Sequence, residues 1–340
     1  MARHGRGGRA LTTRGPKDDE DTLGRAGRRS RPRSRLRPAH AEAQQARVIT
    51  VDRGRYGCLL DDGSVVVAMR ARELGRRSVV VGDEVAVVGD VTAGPDTLVR
   101  IVRVDERRSV LRRTADDSDP IERIVVANAD QMVVVCAVAE PEPQPRLVDR
   151  CLVAAEDAGV HPILCITKVD LAAPTDLLAI YRQVGDVEIV QVGRGDASVG
   201  RDQLDELLQQ HVTVFVGSSG VGKSTLVNAL VPDAVQRVGV VSGTTGKGLH
   251  TTTAAIALPL PDEGWVVDTP GIRSFGLAHI EPHRLVRCFP DLVGGTAECP
   301  GDCDHLDPEI CELDEWVASG HTHPERLDSL RRLLVSRADT

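Results

Sequence analysis

Residues 46–112 alternate short apolar, β-branched runs with polar turns, a pattern typical of β-structure. Five such runs predict five strands, at residues 47–51, 56–60, 64–68, 84–88 and 98–102. Asp61-Asp62-Gly63, between the second and third runs, is a good hairpin turn. Five short strands with little helix between them predict a small β-barrel of the OB type. Barrels of this type either bind RNA or serve as structural modules, and Tyr56 is the only aromatic residue here that could stack on a base.

From about residue 120 the pattern changes to near-continuous apolar runs that alternate with helical stretches. One helix is predicted at Pro145–Ala158, with apolar residues at helical spacing. Strands are predicted at residues 131–136, 162–166, 187–192, 212–216 and 265–267. Such alternation indicates a parallel sheet covered by helices on both faces. After about residue 285 the chain is predicted to be helical again, ending in a helix at residues 324–336.

Composition and charge add the broad class of the protein. The 340 residues carry a net charge of −8 and are 41% hydrophobic, which suits a globular protein of two or three domains. No run of eighteen apolar residues and no secretory h-region are present, so we expect a cytoplasmic protein that does not enter a membrane. Cys58, Cys136, Cys151 and Cys165 are scattered and are predicted to be buried thiols.

Residues 1–39 differ from the rest, with eleven arginines and one lysine against four acidic residues. Because this segment has almost no apolar content, we expect a disordered basic arm. Two interpretations stay open: an arm that neutralises nucleic-acid phosphates, or a solubilising extension.

The run at residues 212–216 leads directly into Gly-Ser-Ser-Gly-Val-Gly-Lys-Ser, which matches G-x-x-x-x-G-K-[ST] at every fixed position. Glycines allow the backbone N–H groups to turn towards phosphates at the start of the following helix. Lys223 is expected to reach the β- and γ-phosphates, and the Ser224 hydroxyl to hold Mg²⁺. The residues predicted to contact nucleotide in this loop are Gly217, Ser218, Ser219, Gly220, Val221, Gly222, Lys223, Ser224 and Thr225.

Two further motifs follow predicted strands. Asp268-Thr269-Pro270-Gly271 follows the strand at 265–267; Asp268 can support the Mg²⁺ shell, and the N–H of Gly271 can sense the γ-phosphate. Thr167-Lys168-Val169-Asp170 is a degenerate form of the Asn-Lys-x-Asp guanine motif, with Thr167 in place of asparagine. The Asp170 carboxylate can accept two hydrogen bonds that guanine donates and adenine cannot, which predicts guanine selectivity.

The order of these motifs along the chain is unusual. An ordinary GTPase has its phosphate loop first and its guanine motif last, whereas here residues 167–170 precede residues 217–225 and 268–271. The same sheet results if the old termini are joined and new ones are cut elsewhere. The motif order therefore predicts a circularly permuted GTPase domain.

A group of cysteines near the C-terminus predicts a metal site. Cys299, Cys303, His305 and Cys311 form the pattern C-x₃-C-x-H-x₅-C. Three thiolates and one imidazole make a closed tetrahedral shell for Zn²⁺, which indicates a structural rather than a catalytic site. His321 and His323 are alternative ligands.

In its barrel, its permuted motifs and its Cys/His cluster, the sequence over residues 46–340 resembles the ribosome small-subunit-dependent GTPase A family. The resemblance implies a multidomain protein with an OB-type barrel at 46–112, an α/β P-loop GTPase domain, circularly permuted, at 113–284 and a mainly helical zinc-binding domain at 285–340. It implies GTP hydrolysis stimulated by the 30S subunit, a late role in 30S maturation, and contacts of the barrel and zinc domain with 16S rRNA. We expect the protein to bind GTP and GDP and to be a monomer. The family commonly has four residues between its first two cysteines, whereas this chain has three.

The resemblance also assigns a switch segment at residues 243–253, in which one of Thr251, Thr252 and Thr253 would complete the Mg²⁺ shell. Ile272 follows Gly271 where a water-positioning glutamine often lies, so His250 is the expected catalytic residue. The loop that begins at Gly193 matches the family's guanine-contacting motif poorly. Two other hypotheses remain: an RNA-binding assembly factor with little hydrolysis, and an ATP-using P-loop enzyme, which Asp170 argues against.

Overall fold

The structure is a computed structural model that describes residues 40, 42–75, 78–90, 98–117, 119, 121–193, 198–231, 255–261, 263–269 and 275–338. The predicted basic arm at residues 1–39 lies outside the described residues. Within these ranges, no helix combines the length and the apolar character that crossing a membrane requires.

The N-terminal part of the described chain is a closed five-stranded barrel. Its strands are β1 (Gln44–Asp52), β2 (Arg55–Leu60), β3 (Val65–Arg70), β4 (Glu84–Val88) and β5 (Leu98–Val104). β1 pairs with both β2 and β4, while β5 joins β3 to β4, so the strand order closes as β1-β2-β3-β5-β4-β1. A register shift between Val48 and Thr50 bends the long first strand, which lets it pair on both sides. The predicted OB-type barrel and its hairpin turn at residues 61–63 are confirmed.

Two short antiparallel strands, β6 (Val110–Arg113) and β7 (Arg123–Ala127), follow the barrel. Gly82 of the barrel lies so close to the end of β7 that an added Cβ would be 2.0 Å from the carbonyl oxygen of Ala127. Glycine is required at position 82 because any side chain would push the barrel and β7 apart. The boundary predicted between residues 112 and 113 falls within β6, and the division of the chain into domains remains a prediction.

The central sheet has the order β10-β9-β8-β11-β13-β12. Its strands are β8 (Gln131–Ala137), β9 (His161–Thr167), β10 (Glu188–Val192), β11 (Val212–Val216), β12 (Ile256–Pro259) and β13 (Trp265–Asp268). All except β12 run parallel, and β12 is antiparallel to β13. The bridge between Thr50 and Ile256 continues this sheet into the barrel.

Helices cover both faces of the sheet, as its apolar strands require. They are α1 (Pro145–Ala158), α2 (Thr175–Tyr181), α3 (Ser198–Leu208) and α4 (Lys223–Leu230). The C-terminal region adds α5 (Pro282–Arg287), α6 (Pro290–Thr296), α7 (Leu313–Ala318) and α8 (Pro324–Ala338). Side chains of α1, α2 and this region share one apolar core, while α3 and α4 cover a second core on the opposite face.

The predicted strands and the helix at Pro145–Ala158 are confirmed to within a few residues. Three strands, β6, β7 and β12, were not predicted. β6 has four residues, two of them arginines, and β12 has four residues and ends at Pro259, so neither is long enough to show an alternating pattern. The four scattered cysteines are buried free thiols, as expected, and burial raises the pKa of each.

Candidate nucleotide-binding site and metal cluster

The described residues of the three sequence motifs lie at one edge of the central sheet. β9, β11 and β13 are parallel, so their carboxyl ends meet at the same edge, where open α/β sheets bind ligands. Ala137 is in register with Thr167, and Phe215 with Asp268. Motifs that are far apart and permuted in the sequence therefore converge in space.

The glycine-rich loop begins directly after β11 and ends at the first turn of α4. Gly220 and Gly222 have φ values of 86° and 96°, which glycine adopts without strain. A Cβ on Gly217 would lie 2.6 Å from the carbonyl oxygen of Val135, so this position also requires glycine. Ser224 and Thr225 are exposed at the start of α4, where N–H groups without helical partners favour an anion.

The ammonium group of Lys223 connects the loop to the motif after β13. Only 6% of Lys223 is exposed, and a buried charge requires partners. Nζ has two of them, since it donates to the Asp268 carboxylate and to the carbonyl of Thr269. Thr269 Oγ1 in turn donates to the carbonyl of Phe215 at 2.6 Å, so the residue after Asp268 is fixed to β11.

The predicted guanine motif contacts the glycine-rich loop through its first residue. Thr167 is buried, and its Oγ1 donates to the carbonyl of Val221 at 2.6 Å. Lys168 Nζ donates to the carbonyl of Glu140 in the loop after β8. Thr167 and Lys168 are predicted to contact the guanine base. Their contacts with the two backbone carbonyls were not predicted, since no pattern in the sequence indicates a side-chain-to-backbone pair.

Asp170 is exposed beyond the end of β9. A Cβ on Gly193 would lie 3.1 Å from Asp170 Oδ1, so the loop after β10 begins beside this carboxylate. Val169 supports the same junction, since its N–H donates to the carbonyl of Val192 at 3.4 Å. The structure thus places the start of the loop after β10 beside the predicted guanine motif, although the sequence of this loop matches the family's guanine-contacting motif poorly.

Several predicted site residues lie outside the described residues. They are Gly271, His250 and the threonines Thr251, Thr252 and Thr253. Residues 194–197 of the loop after β10, for which no contact is predicted, also lie outside the described residues. Their roles remain predictions.

The four predicted metal ligands form one cluster between α6 and α7. The candidate ligand atoms of Cys299, Cys303, His305 and Cys311 all lie within 4.8 Å of one another. The Sγ atoms of Cys299 and Cys311 are 4.0 Å apart, and each lies 3.6–3.7 Å from His305 Nδ1. A tetrahedral ion with bonds of about 2.3 Å to sulfur separates its ligands by about 3.8 Å, so the cluster could hold a metal ion.

Further contacts support this donor set. Burial lowers the pKa of His305, which favours the neutral imidazole that a metal requires. Arg331 donates to the carbonyl of His305 at 3.0 Å and pairs with Asp314, which connects the cluster to α7 and α8. The alternative ligands lie elsewhere: His321 stacks on Trp316, and His323 Nδ1 accepts a hydrogen bond from the N–H of Glu325.

Comparison with known proteins gives consistent results. A model of the RsgA GTPase family matches residues 104–278. A protein of Pseudomonas aeruginosa named small ribosomal subunit biogenesis GTPase RsgA is 38% identical over 270 residues, covering 77% of each chain. A protein of the same name from Ectopseudomonas mendocina is 43% identical over 220 residues, covering 62% of this chain and 63% of the relative.

Solved structures match across most of the chain. YjeQ from Thermotoga maritima superposes with a TM-score of 0.66 and 26% identity, covering 88% of this chain and 99% of its own. YloQ, described as a circularly permuted GTPase, gives a TM-score of 0.63 and 25% identity, covering 89% of this chain and 97% of its own. The permuted arrangement of the sheet is therefore shared with solved proteins.

Proposed function

This chain belongs to the RsgA GTPase family, and from that premise we propose that it hydrolyses GTP during the biogenesis of the small ribosomal subunit, in the cytoplasm. The observation that carries the proposal is the convergence of the three motifs, above all the 2.6 Å hydrogen bond from Thr167 to Val221 and the pairing of Lys223 with Asp268. These contacts hold Thr167, the glycine-rich loop and Asp268 together at one sheet edge, which supports their proposed roles towards the base, the phosphates and Mg²⁺.

The proposed nucleotide roles follow from this placement. The exposed residues of the glycine-rich loop and the first turn of α4 would surround the phosphates, and Lys223 would exchange its contact with Asp268 for the β- and γ-phosphates. Ser224 and Asp268 suit Mg²⁺, because this ion is typically bound by few protein oxygen atoms and keeps several of its water ligands. Bound with GTP, Mg²⁺ would neutralise the charge that develops on the phosphates.

Replacing Asp170 by asparagine is expected to weaken GTP binding about a hundredfold, because a neutral amide can accept only one of the two hydrogen bonds that guanine donates and places its own N–H against the other donor. Binding of xanthosine triphosphate should improve, since an amide can accept from N1–H and donate to the C2 carbonyl of xanthine. Competition of the three triphosphates of guanosine, xanthosine and adenosine for one fluorescent nucleotide measures both effects. Asp176→Asn, the same change at an exposed position in α2, is the control. Unchanged selectivity in Asp170→Asn would remove this residue from the base site.

Replacing His250 by alanine is expected to slow subunit-stimulated GTP turnover tenfold or more, because the attacking water loses the side chain that positions it. GTP and GDP affinities should change little, since the role proposed for His250 is to position the attacking water rather than to bind the nucleotide. Steady-state kinetics with a parallel binding titration separates the two quantities. His283→Ala, an exposed histidine of α5, should retain the wild-type rate. A normal rate in His250→Ala contradicts the assignment.

We also propose that the Cys/His cluster binds one structural Zn²⁺ and that the barrel contacts 16S rRNA. The complete ligand shell supports the first, since it leaves no open position for a substrate. A group of exposed arginines on the barrel supports the second, because cationic side chains neutralise RNA phosphates. These residues are Arg53, Arg55, Arg70, Arg72 and Arg100.

The rates of GTP and ATP hydrolysis, with and without purified 30S subunits, test the proposed function. GTP turnover should rise with 30S but not with 50S subunits, and the stimulation should fall as salt increases, as contacts with phosphates require. Binding to 30S without turnover would favour the RNA-binding assembly factor, and equal use of ATP would favour a different P-loop enzyme.

A further inference from the structure

The outer surface of the barrel carries a row of side chains that crosses three neighbouring strands. Arg55 of β2 lies opposite Met69 of β3, and Met69 lies opposite Arg100 of β5. Residues that are in register point to the same side of a sheet, and all three of these residues are exposed. We call them the outer row. It places one apolar side chain between two arginines on the solvent side of the barrel.

The adjacent positions of the same strands form a buried row. Tyr56 lies opposite Ala68, and Ala68 lies opposite Val99. Neighbouring residues of a strand point to opposite faces, so this row faces the barrel core, and Tyr56 is only 7% exposed. Tyr56 is the only aromatic residue of the barrel segment, so a base that stacks on this barrel must use another kind of side chain.

Met69 is 45% exposed, and its surroundings distinguish it from an isolated apolar residue at a surface. Within the described part of the barrel, it is the only large apolar residue that is exposed. On the same face, two residues earlier in β3, the half-buried Val67 lies opposite Gly57 of β2. Because glycine has no side chain, the surface next to Met69 on the β2 side is low and apolar, which suits contact with a flat ring.

A cavity of about 560 Å³ opens beside the outer row. Met69 and Arg100 line it, together with Arg72 and Glu73 from the 3₁₀ turn that follows β3. Small-molecule sites measure about 300–1,000 Å³, so this space can admit one nucleotide. The outer row and the cavity therefore form one surface, on which an apolar group and several cations lie close together.

The charge of this surface favours an anionic partner. Two of the five exposed barrel arginines belong to the outer row, and the other three lie at neighbouring positions. Two acidic residues border the surface, Asp52 in register with Arg55 and Glu73 in the cavity lining. The excess of positive charge is local, because the whole chain has a net charge of −8. In the described part of the chain, the guanidinium groups of Arg55, Arg72 and Arg100 have no carboxylate partner, so they are available to phosphates.

We propose that Met69 binds one unpaired RNA base and that Arg55 and Arg100 contact the phosphates on its two sides. This inference rests on the proposed contact of the barrel with 16S rRNA, and it assigns that contact to a single-stranded segment. In a duplex both faces of every base are covered by its neighbours, so only an unpaired base can lie on a side chain. The thioether of methionine makes favourable contacts with aromatic rings. Strands about 4.8 Å apart place the two arginines about 10 Å from each other, one on each side of the base.

The test is the binding of fluorescent RNA of about 12 nucleotides, within the site size of one such barrel, to the full-length protein. Three probes are compared: a single strand, an abasic strand that keeps the sugars and phosphates, and a duplex of equal length. We expect Met69→Ala to weaken binding of the single strand about five- to tenfold, and binding of the other two probes by less than about twofold. Met69→Phe should bind the single strand at least as tightly as the wild type, because an aromatic ring stacks on a base.

The arginines of the outer row should behave differently from Met69. Arg55→Gln and Arg100→Gln should weaken binding of the single strand and of the abasic strand alike, and each should reduce the slope of log affinity against log salt by about 0.7, as the loss of one phosphate contact requires. Arg103→Gln, on β5 but outside the row, and Val335→Ala, at an exposed apolar position of α8, are the matched controls. The basic residues 1–39 are present in every variant, so their contribution to RNA binding cancels.

A loss of equal size for all three probes in Met69→Ala would show that Met69 does not touch a base, and unchanged binding of the single strand would overturn the inference as well. If Met69→Ala lowers the melting temperature, Met69→Gln, which keeps the length of the side chain and removes its apolar end, decides the same question. The titrations require neither GTP nor 30S subunits. A wild-type protein whose GTP turnover does not rise with 30S subunits would therefore overturn the proposed function, while the titrations still decide whether Met69 binds a base.

Discussion

Replacement of Arg326 by alanine is expected to lower the free energy of unfolding by about 3–5 kcal/mol, because it leaves two buried carboxylates without their cation. The Arg326 side chain is 1% exposed in the C-terminal helix α8. Nη1 lies 2.5 Å from Asp149 of α1, while Nε and Nη2 both donate to Asp291 of α6 at 2.9 Å. The guanidinium also stacks over Phe289 at 4.5 Å. One side chain thus joins the C-terminal region to the helices that cover the nucleotide-binding sheet.

The pH dependence of this effect has a definite sign. Burial, the largest single influence, raises the pKa of Asp291, but the hydrogen bonds and charge of Arg326 together with the hydrogen bond from Thr322 outweigh it, so the pKa lies below the ordinary value. In the wild type this pair therefore contributes stability above the unfolded pKa of about 4, and loses it as pH falls through the lower folded pKa. In Arg326→Ala, burial is opposed only by the Thr322 hydrogen bond and a backbone hydrogen bond, the two smaller lowering influences, and we expect the pKa of Asp291 to rise above its unfolded value. The destabilisation should therefore be smaller at pH 5 than at pH 7.

Urea unfolding of the wild type and the variant at both pH values measures these differences. Arg103→Ala, which breaks an ion pair with Asp105 on the barrel surface, is the control and should cost no more than about 1 kcal/mol. Arg326→Lys should be less harmful than alanine, since it keeps a charge but not the two-point contact with Asp291. A loss in Arg326→Ala as small as that of the control would contradict a structural role for this buried network.

Removal of metal from the Cys/His cluster is expected to unfold residues 299–318, the ligand-bearing loop and α7, because the ligands connect chain that has little apolar core of its own. Structural Zn²⁺ contributes an apparent 10–16 kcal/mol in small zinc domains at pH 7, more than most domains have in total stability. We therefore expect one zinc per chain in the purified protein. A strong chelator, or Cys311→Ser, should remove both the metal and the folded structure of residues 299–318.

Trp316 reports on this segment, since it packs on Gly294 and Gly295 and donates through Nε1 to the carbonyl of Asp291 at 3.0 Å. The chain has one other tryptophan, Trp265, so a Trp265→Phe background isolates the signal. The His323→Ala variant should keep its metal and its Trp316 emission, because His323 contacts the start of α8 rather than the Cys/His cluster. Substoichiometric zinc together with unchanged Trp316 emission in chelator would count against the site.

The elements that could be predicted from the sequence are those specified by neighbouring residues. The barrel strands, the parallel strands and the long helix follow from hydrophobic periodicity, which is a property of adjacent residues. The glycine-rich loop, the guanine motif and the Cys/His cluster follow from spacing, because phosphate and metal binding restrict residue types at fixed intervals. The circular permutation could also be predicted, since it changes only the order in which complete motifs occur along the chain.

Contacts between distant elements required the tertiary structure. Thr167 lies 54 residues from Val221, Arg150 lies 125 residues from Phe275, and Arg326 lies 177 residues from Asp149. In the sequence these are an ordinary threonine and two ordinary arginines on helices. Their partners depend on which helix packs on which strand, and no local pattern of charge or periodicity encodes that choice. Residue types and their spacing therefore establish which chemistry is available to this protein, whereas the packing of its helices and strands selects the side chains that position the reacting groups.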